Sequence, residues 1–322
     1  MTLRPNTATQ PSAASGASGV PGTTVESRPS DRLLVRFLRW APKRAFSTGV
    51  GLVARSPVPR FARRPLYASF ARRVGANLDE VERPLTEYPT LDAFFVRRLK
   101  AGARPITTDP DVVVSPCDGT IAESGVAVAG RLMQAKGIDY KLANLIPDLD
   151  AAARFEGGVY LTIYLAPRDY HRVHFPADGN INGFQHIPGA LFPVNALAVR
   201  SIGALFTVNE RLVTFVDTSF GEIAVVMVAA TGVGNMSVGY DAVETHAPGK
   251  GRPGPRVRYA AARRAQRGED LGAFHLGSTV VLLFEPGRVK LGPLVLGQRI
   301  RMGEPIARRG AAREHGGQGR AA

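Results

Sequence analysis

The side chains best suited to chemistry fall in three short, widely separated stretches. The first is SPCDG, Ser115 to Gly119, where Asp118 stands in a turn after a β-branched run. A carboxylate there can orient a histidine, or it can cap its own turn by accepting from nearby backbone N–H groups. The second is YLAPRDYHRVHFPADG, Tyr164 to Gly179, which sets His171 and His174 three apart beside Asp169, Tyr170 and Arg172. Imidazole takes and gives protons near neutral pH, so this stretch can supply an acid or a base; two surface histidines in a turn are the plainer alternative. A structural zinc site is not expected, because the chain has one cysteine, Cys117, and no third ligand cluster stands nearby. The third stretch is FHLGSTVVLLFEPG, Phe274 to Gly287, in which Gly277–Ser278 leads into a strongly β run. A glycine without Cβ reaches conformations that expose its carbonyl to the next hydroxyl, although Gly-Ser-Thr is also a common turn. Together the three offer an Asp, a His and a Ser, the parts that activate a serine hydroxyl through a carboxylate-oriented imidazole. Ser278 lies outside any G-x-S-x-G elbow, which argues against an ordinary α/β-hydrolase.

The elements that must position these groups are mostly strands. From Val112 onward, short β-branched runs such as VVVS, GGVYLTIYLA, EIAVVMVAATGV and STVVLLFEPG recur between Gly, Pro and Asp. This pattern predicts an α+β fold with a predominantly antiparallel β core, sandwich- or barrel-like, behind N-terminal amphipathic helices. Residues 1–31 are rich in Ser, Thr, Pro, Ala and Gly and are expected to be disordered. Residues 32–88 form a basic amphipathic helical region, which Pro42, Pro57, Pro59 and Pro65 are expected to break into short helices. Thr90 is an N-cap candidate for TLDAFFVRRL. The catalytic domain is placed at 89–306, with a flexible tail at 307–322. Pro248 to Arg267 is expected to be a basic surface loop.

The net charge of +14 calls for an anionic partner. Between Arg32 and Leu78 there is no Asp or Glu, and arginines alternate with Leu33, Leu34, Phe37, Leu38 and Trp40. Basic residues interleaved with large apolar ones suit a helix in the lipid headgroup layer, and a nucleic-acid arm has no need of LLVRFLRW. No run of apolar residues is long enough to span a bilayer, and a single cysteine excludes an intrachain disulfide.

The three stretches, together with FFVRRLKAGARPI, QAKGIDYKLANLI, PGALFPVN and LFTVNERL in the same order, resemble the phosphatidylserine decarboxylases of the longer bacterial type. The resemblance covers roughly residues 32–305. It implies an autocatalytic triad of Asp118, His174 and Ser278, with Asp118 holding His174, and a decarboxylation role for His171 as the acid that reprotonates carbon. It implies self-cleavage between Gly277 and Ser278 into a β chain, 1–277, and an α chain, 278–322, and conversion of Ser278 to a pyruvoyl cofactor. That group would form a Schiff base with phosphatidylserine and yield phosphatidylethanolamine and CO₂, without metal. A homodimer of the α/β pair is implied, peripheral on the cytoplasmic side of the cell membrane. Phe192, Asn195 and Arg211 are expected to line or support the pocket. Cys117 is expected to be packed, and His275 carries no assigned role. A serine hydrolase that never cuts itself and a nucleic-acid-binding protein are the competing readings.

Overall fold

The computed structural model describes residues 43–135, 138–231, 235–243, 245, 254–275 and 278–310. The expectations for residues 1–42, for Gly277 and for the tail beyond Gly310 lie outside the described residues.

Two helices come first, α1 Lys43–Arg55 and α2 Arg60–Val74. Pro57 and Pro59 separate them, whereas Pro65 lies inside α2 rather than breaking it. It removes one helical bond, to the carbonyl of Phe61, which sits in an exposed first turn open to water. Helix α2 stops at Gly75, whose φ of +78° is a left-handed cap. Helix α3, Leu91–Phe95, is capped as expected: the Thr90 hydroxyl accepts from the Ala93 N–H at 3.0 Å. Tyr67 of α2 stacks on Phe94 of α3 at 5.0 Å, and Val81 and Tyr88 close a small core around them. The remaining helices are short: α4 Leu142–Leu145, α5 Leu149–Arg154, α6 Ala196–Ser201 and α7 Leu205–Val208.

The strands begin with β1 Val112–Val114, β2 Gly119–Val126, β3 Arg131–Ala135 and β4 Ile138–Lys141. Next come β5 Val159–Leu165, β6 Arg172–His174, β7 Gly179–Ile187 and β8 Arg211–Thr218. Then follow β9 Gly221–Ala229, β10 Met236–Val238, β11 Val257–Ala265 and β12 Asp270–Phe274. The last are β13 Ser278–Phe284, β14 Val289–Leu291, β15 Arg299–Ile300 and β16 Pro305–Arg309. Eight of them form one sheet in the order β11-β7-β8-β9-β13-β5-β2-β15, and all its pairings are antiparallel. Smaller sheets, β1-β16-β14, β10-β12-β6 and β3-β4, surround it.

Strand β13 explains why the large sheet is buried on both faces. Its run STVVLLF is apolar after the first two residues, so neither face suits water. Val280, Leu282 and Phe284 enter one core, with Leu161, Ile163 and Leu165 of β5; Val281 and Leu283 enter the other, with Val226 and Val228 of β9. Each such side chain contributes about 1.5–3 kcal/mol on burial. The mainly antiparallel architecture that the β-branched runs imply is therefore the one observed.

Two boundaries differ from expectation. Val257–Ala265, placed in a basic surface loop, is an edge strand paired with β7, and its exposed arginines keep that edge from pairing further. Residues 307–309, assigned to the tail, belong to β16, where Ile306 and Ala307 are buried against β1 and β14.

Gly119 fixes the approach of β2 to β5. A Cβ there would lie 2.6 Å from Ile163 Cγ2 and 2.6 Å from the Tyr164 carbonyl oxygen. Gly119→Ala is therefore expected to lower stability by about 1–3 kcal/mol, measured by urea unfolding; an unchanged midpoint would show that β2 shifts freely.

Candidate active site

Ser278 opens β13, opposite Leu165 on one side and Ala229 on the other. Strand alternation puts its side chain on the face of Val280 and Leu282. The hydroxyl is fully buried and has no hydrogen-bond partner among the described residues. Thr279 points to the opposite face, where it lines a mostly apolar cavity of about 360 Å³ with Tyr164, Glu123 and Phe206. That cavity is separated from the Ser278 hydroxyl by the sheet.

Both histidines are held by the small sheet and the turn before it. His174 ends β6, and its N–H donates to the Pro116 carbonyl at 2.7 Å, which ties the SPCDG turn to this strand. Its Nδ1 lies 2.9 Å from the Gly268 carbonyl oxygen, an acceptor only, so Nδ1 carries the proton and Nε2 presents a lone pair. That lone pair takes the Tyr170 hydroxyl at 3.2 Å. Burial pushes the Tyr170 phenol up to about 12, so it remains a donor. His171 is fully buried and packs at a tilt of 55° against Phe95, 4.2 Å between ring centroids. Its Nδ1 donates to the Asp169 carbonyl at 2.8 Å, while Nε2 is buried with no partner among the described residues. Burial lowers His171 to about 3, which keeps it neutral at physiological pH. Burial also lowers His174, opposed by the charge of Asp270 on the facing strand.

Contrary to expectation, Asp118 and His174 share no hydrogen bond: the His174 ring nitrogens face the Gly268 carbonyl and the Tyr170 hydroxyl, and Asp118 is engaged elsewhere. Arg104 donates to the Asp118 oxygens through Nε at 2.9 Å and Nη2 at 2.5 Å, and the Met302 N–H adds a bond of 2.9 Å. A bidentate guanidinium is the stronger partner for a carboxylate than a neutral imidazole. Asp118 still raises His174 through its charge. Arg104 stands in the GARPI segment, but its spacing from Asp118 carries no signal of pairing.

Other side chains also find clear positions. Arg211, expected near the pocket, is a framework residue: it donates to the carbonyls of Leu145, Asn144, Thr207 and Asn209. Asn195 caps α6, and Phe192 packs on the core away from the Ser278 hydroxyl. Cys117 is fully buried, and burial pushes its thiol up. His275 bridges two elements, with Nδ1 2.9 Å from both Asp92 oxygens and Nε2 3.2 Å from the Ser237 hydroxyl. It thereby anchors the chain two residues before position 277.

Neutral burial of His171 links stability to pH. Between about pH 3 and the ordinary value of 6.5, the unfolded chain binds a proton at His171 that the folded chain does not. Stability therefore falls as pH is lowered through this window. Urea unfolding is expected to show a steeper loss with the native residue than with His171→Asn, by up to about 1.4 kcal/mol per pH unit; parallel slopes would contradict a buried neutral imidazole.

A family model described as phosphatidylserine decarboxylase matches residues 91–308. A phosphatidylserine decarboxylase proenzyme of Anaeromyxobacter sp. (strain K) is 47% identical over 281 residues, covering 86% of this chain and 98% of that protein. A proenzyme of the same name from Myxococcus xanthus (strain DK1622) is 45% identical over 260 residues, 81% of this chain and 92% of its own length. Another, from Halorhodospira halophila (strain DSM 244 / SL1), is 43% identical over 284 residues, 87% of this chain and 94% of its own. With a β core that brings two buried histidines and a buried serine out of the matched motifs, the chain belongs to the phosphatidylserine decarboxylase family.

Proposed function

We propose that the chain is a self-processing proenzyme that decarboxylates phosphatidylserine to phosphatidylethanolamine, using a pyruvoyl group made from Ser278. The observation that carries this reading is the Ser278 hydroxyl: buried, without a partner among the described residues, at the first position of the central strand. A buried hydroxyl without a hydrogen bond costs about 1–3 kcal/mol. Its removal as part of a reaction is a reason for a fold to keep it.

In the proposed processing, the Ser278 oxygen adds to the Gly277 carbonyl carbon and the peptide C–N bond breaks, leaving an ester and a free amine on residue 278. Loss of the Cα proton and of the Gly277 carboxylate breaks the Cβ–O bond. Water then replaces nitrogen at Cα, and ammonia departs. His174 has the lone pair for the first proton transfer, and to use it Nε2 must give up the Tyr170 hydroxyl. Asp118 assists by its negative charge on the resulting imidazolium rather than by a direct bond.

A pyruvoyl group at residue 278 supplies an electron sink that takes the substrate amine covalently and accepts the electron pair left by CO₂. The fit is chemical: a neutral, dry environment favours loss of a carboxylate charge. His171 works as a base first. Its Nε2 carries no proton in this state, so it can return one to carbon only after taking one up in the course of the reaction.

Access from a membrane surface is part of the proposal. Helices α1 and α2 expose Leu52, Val53, Phe61 and Leu66 beside Arg55, Arg60 and Arg64, the mixture that seats a helix in anionic headgroups. Among the described residues no helix is long and apolar enough to cross a membrane. A peripheral position on the cytoplasmic face, as a homodimer, completes the reading.

Electrophoresis and decarboxylation assays of variants test the roles. Ser278→Ala is expected to stay uncut and inactive. His171→Ala is expected to cut, yet to release CO₂ about 10²–10⁴-fold more slowly. Cleavage of Ser278→Ala, or an uncut His171→Ala, would reverse the assignments.

A further inference from the structure

On the assumption that phosphatidylserine is the substrate, we infer that Arg97, at the floor of an arginine-lined cavity beside Asp118, binds the phosphodiester of the headgroup. The cavity measures about 340 Å³, within the range of small-ligand sites. Two of its walls, Asp169 and Tyr170, are the residues hydrogen-bonded to His171 and His174. A ligand here is therefore one residue removed from each histidine, with Asp169 and Tyr170 as the links.

The charge in this cavity does not balance. Its lining carries five arginines and three carboxylates, an excess of two positive charges. Four of the arginines have carboxylate partners. Arg104 pairs with Asp118 and Glu80, Arg299 and Arg168 lie 2.7 and 3.8 Å from Asp169, and Arg301 lies 4.0 Å from Glu80. Arg97 is the exception: among the described residues no carboxylate pairs with it, and Asp118 and Glu80 act on it only through their charge, without an ion pair. It is only 4% exposed, its Nε has no hydrogen-bond partner among the described residues, and the Phe94 ring lies 5.0 Å from the guanidinium carbon. Burying an unpaired guanidinium costs several kcal/mol, more than one cation–π contact returns. Burial accordingly lowers the Arg97 pKa, and its charge is near enough to His171 to help keep that imidazole neutral. An anion in the cavity would relieve this cost.

The substrate carries two anionic groups, and the chemistry selects between them. A guanidinium locked on the carboxylate would stabilise the charge that must vanish as CO₂ leaves, and so would raise the barrier. The phosphodiester keeps its charge throughout, so pairing with it strengthens binding without opposing the reaction. A lipid phosphodiester and free phosphate share the chemistry that Arg97 recognises, and the test must separate them.

The full-length Ser278→Ala chain, which holds no pyruvoyl group, allows binding to be read without turnover. Titration calorimetry with glycerophosphoserine is expected to give saturable binding, and adding Arg97→Gln is expected to raise Kd by at least about tenfold. Arg97→Lys, which keeps the charge, should recover part of the loss, and thermal melting of both variants checks that they are folded. Inorganic phosphate should compete with glycerophosphoserine. An equal Kd with and without Arg97, or no binding at all, would overturn the inference; phosphate that binds without competing would mark a free-phosphate site and overturn the headgroup assignment. Because none of these readouts needs cleavage, failure here is distinct from failure of the pyruvoyl reading, which shows as uncut native chain.

Discussion

Strand β13 runs between β9 and β5 with both of its faces in apolar cores, and Ser278 is the residue at which it begins. This double burial governs the site. Backbone pairing on both sides fixes the Ser278 backbone, and apolar neighbours deny its hydroxyl the water that an edge strand would supply. The chain leading to it is anchored from another direction, by His275 on Asp92 and Ser237. Ser278 therefore starts a strand paired on both sides, and His275, three residues earlier in the chain, is itself held in place. Such an arrangement restricts the attacking oxygen to few geometries, which is what proximity catalysis requires.

The charges around this point are set by burial and carbonyl acceptors more than by a carboxylate–histidine pair. Gly268 and Asp169 carbonyls fix the protons of His174 and His171 on Nδ1, and both histidines present Nε2 as a base. Asp118, engaged by Arg104 and the Met302 N–H, contributes its field. The arginine excess behind it has no counterpart among the described residues lining the cavity. With the substrate's phosphodiester as that counterpart, the same buried charge that weakens the empty site strengthens the filled one.

Much of this was legible in the sequence. The β-branched run after Ser278 announced a strand, though not its burial on both faces; the Thr90 cap announced a helix, and separated motifs in family order singled out Asp118, His171, His174 and Ser278. The misses have physical causes. Arg97 and Arg98 are adjacent and chemically identical, yet one is buried and the other exposed, because α3 ends between the packed Phe94 and the surface. Arg104 and Tyr170 gain their roles only from tertiary contacts, which no spacing rule encodes. Val257–Ala265 is too exposed and too basic to show strand periodicity, and it is a strand because β7 offers it an edge.

The processing and decarboxylation proposed for this site require that Ser278 be consumed by its own reaction. Mass measurement of the smaller fragment, residues 278–322, tests this most directly. The expected fragment is lighter by one ammonia than the same sequence beginning with serine, and it is blocked to Edman degradation. A fragment of full serine mass, or native protein found only as the intact chain, would contradict it.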